Sequence, residues 1–503
     1  MSSSQMPHRR VRVPALALLI AIALHSSAGA GFLSAQSEPQ VARGTVIMTV
    51  RAADNPDVRG AERLFSAWMS GQVAYRGIPG VVVGVVADQE LIWTSTYGYA
   101  NAATKLPMTP QTKFRMASHS KLFTATAILQ LREQGKLRLD DPVTKHLPWF
   151  SVTPANADDP AITIEELLMH GSGLPREAGP HWTDFNFPTK AEVQRLMAER
   201  QAAFAPDVRW KYSNLAYTVA GMVIEAVSGE SWADYVQRHI YQPLGMTASS
   251  VDQNVSGLAV GYGPRMPDGS RAVRPFVDAR GMAAATGITS TVEDMAKFVS
   301  AQFRTGPMGG NQVLSTASQR EMHRVRMMES TWTRGNAIGF AVTRVGDKIF
   351  VGHGGGYPGY TTHTLINLDA RVGVIVHTNT NDSDPAAIAT QLMNSVGEAA
   401  AKAIATTPKT VAWDPTWSRF VGTYRSAGGE SAVVELNQRL VILSATATTL
   451  ENPSRLEPIG HGQFRLVAPT GGGPVGEVVR FVEEGGRVTR MITGDSYAVR
   501  VPD

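Results

Sequence analysis

The stretch from Ser118 to Gln134 constrains the fold most. Leu122, Phe123, Ala125, Ile128, Leu129 and Leu131 recur all round a helix instead of along one stripe. A helix that is apolar on every side has to be buried on every side. The spacing therefore predicts a central helix walled in by other elements, with Gly135 as its stop. With 503 residues, the chain is long enough to build such walls.

The walls are readable on either side. Val81–Val86 and Leu91–Trp93 flank Ala87-Asp88-Gln89-Glu90, which predicts a hairpin buried on both faces. Thr163-Ile164-Glu165-Glu166 has the pattern of a capping box, and a helix-rich stretch follows to about residue 300. Strands return at Lys348–Val351, Thr361–Leu368 and Val372–His377. Early strands, a helical middle and late strands imply one sheet made from both ends of an α+β domain. After a linker around Pro408–Pro415 the periodicity is all β. Runs at Ala432–Leu436, Leu440–Leu443, Gln463–Val467, Val478–Val482, Val488–Ile492 and Tyr497–Val501 predict a small barrel or sandwich. The expected organisation is 1–30 signal peptide, 31–58 linker, 59–405 α+β domain, 406–415 linker and 416–503 β-barrel module.

Residues 1–30 read as a secretory signal. His8, Arg9, Arg10 and Arg12 form a positive n-region, Ala15 to Leu24 an apolar h-region, and Ala28-Gly29-Ala30 a small-residue cleavage site. The apolar run falls short of the roughly 17–25 residues that span a bilayer, so no membrane span is expected after cleavage. The expected location is the periplasm or the outside of the cell, which the absence of cysteine suits. Most of the net charge of +4 comes from those three arginines. The remaining near-neutral body offers no electrostatic footprint for nucleic acid.

Three short motifs can carry chemistry. In Ser118-His119-Ser120-Lys121 the serine and lysine are i and i+3 on a helix face, so hydroxyl and amine can meet. The helix N-terminus and the apolar surroundings both disfavour an ammonium, and a neutral lysine activates a serine. In Tyr212-Ser213-Asn214 a phenol beside such an amine can relay protons, and an amide can hold the lysine or the substrate. In Gly352-His353-Gly354-Gly355-Gly356 glycines let backbone approach a ligand, and an N–H there can pair with that of Ser118 as an oxyanion hole. Each motif alone is weak: a serine cap and a buried tyrosine beside a helix cap are the favoured readings of the first two taken singly, and a glycine-rich turn would explain the third. Gly354–Gly359 formally matches GxGxxG, but a strand pattern follows it, which argues against a dinucleotide site. There is no HExxH, no cysteine ligand, no GxSxG elbow and no P-loop. No metal or cofactor is expected. His119 reads as packing or rim, and His170 and His353 as structural histidines near the site.

Together and in this order, Ser-x-x-Lys, Tyr-x-Asn and His-Gly-Gly resemble the serine β-lactamase and penicillin-binding-protein superfamily. The resemblance is to its class C β-lactamase, D-amino-acid peptidase and esterase branch. It covers roughly residues 60–400 and is reinforced by Thr163–Pro175, Pro243–Met246, Gly287–Phe298 and Gly359–Asn379. It implies an antiparallel sheet flanked by helices, a helix-rich lobe and an appended barrel. It also implies Ser118 as acylated nucleophile, Lys121 as proton acceptor and Tyr212 as acid/base. Asn214 would orient substrate, Ser118 and Gly356 N–H would form the oxyanion hole beside Gly355, and His353 would line the site. Many penicillin-recognising members carry lysine where this chain has His353, so a permanent charge for a substrate carboxylate is missing. The expected substrate is a small molecule or oligopeptide: a peptide amide first, then an ester, then a β-lactam. The layout also resembles hydrolases of linearised microcystin-type peptides. The rival readings are a sensor that acylates without turnover, and a binding barrel carried by an inert hydrolase. Oligomeric state is not legible.

Overall fold

The structure, a computed structural model, describes residues 51–251, 254–304, 312–405, 413–445, 453–460, 462–468 and 474–502. The signal-peptide reading and most of the two linker readings lie outside these residues. The 31–58 linker reading runs too far on its C-terminal side, because helix α1 (Pro56–Arg76) has already begun there. The Asn55 side chain accepts from the Asp57 and Val58 N–H groups, and Pro56 sits in the first turn, where a missing N–H costs nothing.

The hairpin follows as β1 (Gly80–Ala87) and β2 (Glu90–Asn101), with short β3 (Leu106–Pro107) at its edge. Next come β4 (Phe114–Ala117), the central helix α2 (Ser120–Glu133), α3 (Ile164–Leu168), α4 (Asn214–Ser228) and α5 (Ala283–Thr286). β5 (Ile288–Ser290) pairs with β4, and α6 (Val292–Gln302) follows. The late strands are β6 (Met327–Met328), β7 (Arg334–Asn336), β8 (Ala341–Val345), β9 (Lys348–Tyr357), β10 (Tyr360–Asn367) and β11 (Val372–Thr378). Helices α7 (Pro385–Leu392) and α8 (Glu398–Ala405) close the domain.

One nine-stranded antiparallel sheet runs β3-β2-β1-β11-β10-β9-β8-β7-β6. Its centre joins the two ends of the domain, Val81 opposite Thr378 through to Ala87 opposite Val372. Side chains alternate faces along a strand. Val81, Val83 and Val85 pack with Phe65, Met69, Ile388 and Leu392 of α1 and α7. Val82 and Val86 join the larger core that contains α2, α4 and α6. Helices on both faces explain why β1 is apolar throughout and fully buried. Every residue of α2 from Ser120 to Leu131 is buried, as the all-round apolar pattern requires.

The C-terminal module is a closed eight-stranded barrel, β12 (Gly422–Ser426) to β19 (Ser496–Arg500), filled by Phe420, Tyr424, Leu456, Phe464 and Met491. Closure pairs the first strand with the last, Tyr424 opposite Arg500 and Arg425 opposite Val499.

Candidate active site

Ser118 lies at the junction of β4 and α2. The helix begins two residues after it, at Ser120, not at Ser118 as the pattern suggested. The turn is tight: Ala117 takes a left-handed φ of 49°, unusual for a residue with a Cβ. The Ser120 hydroxyl secures the turn, donating to Ala117 O at 2.7 Å and accepting from Ile288 N at 3.1 Å. Lys121 then falls one turn further on and is completely buried.

The Lys121 amine faces three oxygens. Nζ lies 2.7 Å from Asn214 Oδ1, 2.9 Å from Ala285 O and 3.1 Å from Ser118 Oγ. Tyr212 OH donates to the same Ser118 Oγ at 2.8 Å. The amide of Asn214 is oriented by Glu177, whose Oε1 accepts from Nδ2 at 2.6 Å. His181 Nε2 and Arg176 Nε flank the Glu177 carboxylate at 3.0 and 3.2 Å.

Burial holds the Lys121 pKa well below that of an ordinary lysine. Glu177 pulls in the opposite direction and Arg176 reinforces the drop. For the deprotonated form of this amine, the proton count decides the roles. A neutral amine has two N–H groups and one lone pair. Asn214 Oδ1 and Ala285 O can only accept, so they take the two N–H groups. The lone pair is left for the Ser118 hydroxyl, which can donate to it. Burial also pushes Tyr212 up to about 12, against the lowering effects of the Ser118 hydrogen bond and Arg176. At neutral pH it is a phenol that donates to Ser118.

The third motif lies on β9. β8 pairs with β9 only as far as Gly352, so from His353 onward one edge of β9 has no partner strand. Tyr357 and Tyr360 close a two-residue hairpin. Hydrogen-bonded and non-hydrogen-bonded pairs alternate from there, which turns the backbone groups of Gly354 and Gly356 toward the unpaired edge. Gly356 is exposed, and a Cβ there would meet nothing within 4 Å. Gly355 is the reverse case. A Cβ on it would sit 2.3 Å from Met116 O and 2.4 Å from Thr362 Oγ1, so glycine is what lets β9 approach β4. Gly355→Ala is expected to cost about 2 kcal/mol or more of stability, since backbone must move to admit it. A urea midpoint matching wild type would show that the strands do not approach so closely.

His353 is buried. Its pKa is pulled down to about 3 by burial first and then by Lys121. Nδ1 lies 2.6 Å from Gly354 O and therefore carries the proton, leaving Nε2 as an acceptor. His119 is also completely buried, with Nε2 2.9 Å from Thr364 Oγ1. It packs beneath the sheet, and the rim alternative is excluded. His170 packs its ring on Tyr212 with centroids 4.4 Å apart. Among the described residues no group of three His, Cys, Asp or Glu side chains is placed to hold a metal. No described helix is long and apolar enough to cross a membrane.

The sequence reading named Ser118, Lys121, Tyr212, Asn214, His353, Gly355 and Gly356. Of these, Ser118, Lys121, Tyr212 and Asn214 form one hydrogen-bonded cluster, the His353 ring lies 6.4 Å from that of Tyr212, and Gly355 packs against Met116, two residues before Ser118. The sequence reading missed Ala117, Glu177 and the carbonyl of Ala285. Nothing in the local pattern around Glu177 marks it, and a left-handed alanine has no sequence signature.

The sequence profile of the family described as "Beta-lactamase" matches residues 65–398, more than half of the chain. The chain belongs to the beta-lactamase family. It is 29% identical over 312 residues to "Protein flp" of Staphylococcus aureus (strain MRSA252), an alignment covering 60% of each protein. The match thus spans less than two thirds of that relative's length. It is 27% identical over 410 residues to "Penicillin-binding protein 4*" of Bacillus subtilis (strain 168), covering 75% of this chain and 86% of the relative. In fold it resembles the solved octameric penicillin-binding protein homologue from Pyrococcus abyssi. The TM-score is 0.60 at 23% identity, over 87% of this chain and 100% of that one. Both the superfamily resemblance and the expected antiparallel sheet with helices and a terminal barrel therefore stand.

Proposed function

We propose that this member of the family is a serine hydrolase that cleaves a peptide amide bond through an acyl-enzyme on Ser118. The observation that carries the reading is the placement of one hydroxyl oxygen between a buried, deprotonation-prone amine and a protonated phenol, at 3.1 and 2.8 Å. In the proposed cycle Lys121 Nζ takes the Ser118 proton as Oγ attacks the carbonyl carbon. The N–H groups of Ser118 and Gly356 hold the oxyanion. Tyr212 gives its proton to the departing nitrogen as the C–N bond breaks, and recovers one from Lys121. With a pKa near 12 it serves as a relay, not as a standing phenolate. Water then attacks the ester by the same route in reverse. Family membership and a relative named as a penicillin-binding protein support this reading.

Ester hydrolysis is the second reading, favoured by His353, which offers a neutral acceptor where a substrate carboxylate would need a cation. We also propose that the protein is exported, on the strength of the n-region, h-region and small-residue site in residues 1–30. The N-terminal sequence of the protein recovered outside the cytoplasm tests that point.

The main test is intact mass and turnover with p-nitrophenyl esters, peptide p-nitroanilides and penicillin. The expected outcome is an acyl adduct on the Ser118 peptide and anilide release well beyond one equivalent. Release that stops at one equivalent identifies a sensor, and no adduct with any probe overturns the reading.

A further inference from the structure

We propose that His170 is a positioning residue that clamps Tyr212 against Ser118. This rests on the reading of Tyr212 as the proton relay.

The first observation is where His170 sits. Helix α3 ends at Leu168 and is capped by Met169, whose N–H bonds Glu165 O, and the next turn is closed by Gly171 N to Glu166 O at 2.9 Å. His170 occupies the left-handed position just past that helix end, with φ 60°. Glycine usually fills such a position because it carries no Cβ. A histidine there is strained, and the surrounding contacts must hold it.

The second observation is what those contacts touch. His170 O accepts from Lys211 N at 2.8 Å, and His170 Nδ1 accepts from Ser213 N at 3.1 Å. These are the two residues on either side of Tyr212. The imidazole ring lies over the Tyr212 ring itself, 4.4 Å between centroids and tilted by 32°. One residue thus grips the tyrosine by its preceding amide, its following amide and its aromatic face. The far side of the clamp is fixed too. Ser213 Oγ donates to Pro175 O at 2.7 Å and accepts from Ala216 N at 2.9 Å, as the cap of α4. Because Nδ1 accepts, the ring proton is on Nε2 and the imidazole is neutral. Burial favours the same state.

Tyr212 needs such help. Its hydroxyl must stay within hydrogen-bonding distance of Ser118 Oγ while its own side chain has two free torsions. A relay displaced by even 1 Å loses much of its value. His170 holds no reacting atom, so its effect should run entirely through Tyr212.

The test is a double-mutant cycle read with alanine p-nitroanilide, whose leaving group needs a proton, and alanine p-nitrophenyl ester, whose leaving group does not. His170→Ala is expected to lower kcat for the anilide about 10–100-fold, with KM within about threefold and a smaller loss for the ester. In a Tyr212→Phe background the same substitution should change kcat less than about threefold, because the relay it positions is already gone. His170→Asn keeps an acceptor at the Nδ1 position and tolerates a left-handed φ. It should recover part of the anilide rate, and it stands in if the alanine variant does not fold. Equal losses in both backgrounds, or a rise in KM with kcat unchanged, would overturn the proposal. Hydrolysis persisting in Ser118→Ala would instead defeat the underlying reading, whatever His170 does.

Discussion

Ser118→Ala is expected to abolish hydrolysis while leaving the fold almost untouched. Among the described residues its Oγ is the one atom hydrogen-bonded to both Lys121 Nζ and Tyr212 OH. Without it the amine has no hydroxyl to deprotonate, and the phenol faces a methyl group. Deleting the nucleophile of a serine hydrolase typically lowers kcat by about six orders of magnitude. The cost to stability is much smaller. Ser118 is only partly buried, and Lys121 keeps Asn214 and Ala285 as partners. Two lost hydrogen bonds at such a place cost about 1–2 kcal/mol. Single-turnover kinetics and a urea midpoint measured on the same preparation check both halves. A variant retaining more than about one per cent of the rate would reassign the nucleophile.

The second large effect is acid unfolding near pH 5. His119, His170, His353 and His377 are buried, and burial is the first cause that lowers each of their pKa values. His353 and His377 are pulled down to about 3. Among the described residues neither ring nitrogen of His377 has a hydrogen-bond partner, so nothing there would receive a proton's charge. In the unfolded chain the same rings protonate near 6.5. Below that pH the unfolded state binds more protons than the folded one, so stability falls as pH falls, down to the folded-state values. Each ring removes about 1.4 kcal/mol per pH unit once the unfolded form is titrating. His353 and His377, held near 3, act over at least two units and so reach the lower end of an ordinary domain's stability, about 5–15 kcal/mol, with His119 and His170 adding in the same direction. Thermal midpoints should drop steeply between pH 6.5 and 4.5. A flat profile over that range would mean that the histidines are solvated, which would contradict the packing under the sheet.

What could be read from the sequence differed by kind of feature. The buried helix announced itself because an all-round apolar pattern has one physical outcome, and the double-faced strand β1 did so for the same reason. Ser118, Lys121, Tyr212 and Asn214 stood out only because three short motifs, each weak alone, occur together in the order that resembles the family; the structure joins the four by hydrogen bonds. In the barrel, six of the eight strands were visible. Ser454–Gly460 was hidden by its arginine, glutamate and proline, which suit an exposed and irregular segment as well as a strand. The start of α1 was missed although Asn55-Pro56 is a recognisable helix opening. Glu177 could not have been found, because its part depends on a contact with Asn214 across 37 positions of chain. The same holds for the Ala285 carbonyl, which acts through backbone and leaves no trace in residue identity.

The pairing of β1 with β11 has a consequence for how the molecule comes into being. The two strands are separated by roughly three hundred residues, and closing so long a loop carries an entropic penalty before any contact repays it. A nascent polypeptide halted anywhere before Val372 lacks β11, one of the two partners of the fully buried β1, and its central sheet stays incomplete however long it waits. Acquisition of the native state is therefore a late event in synthesis.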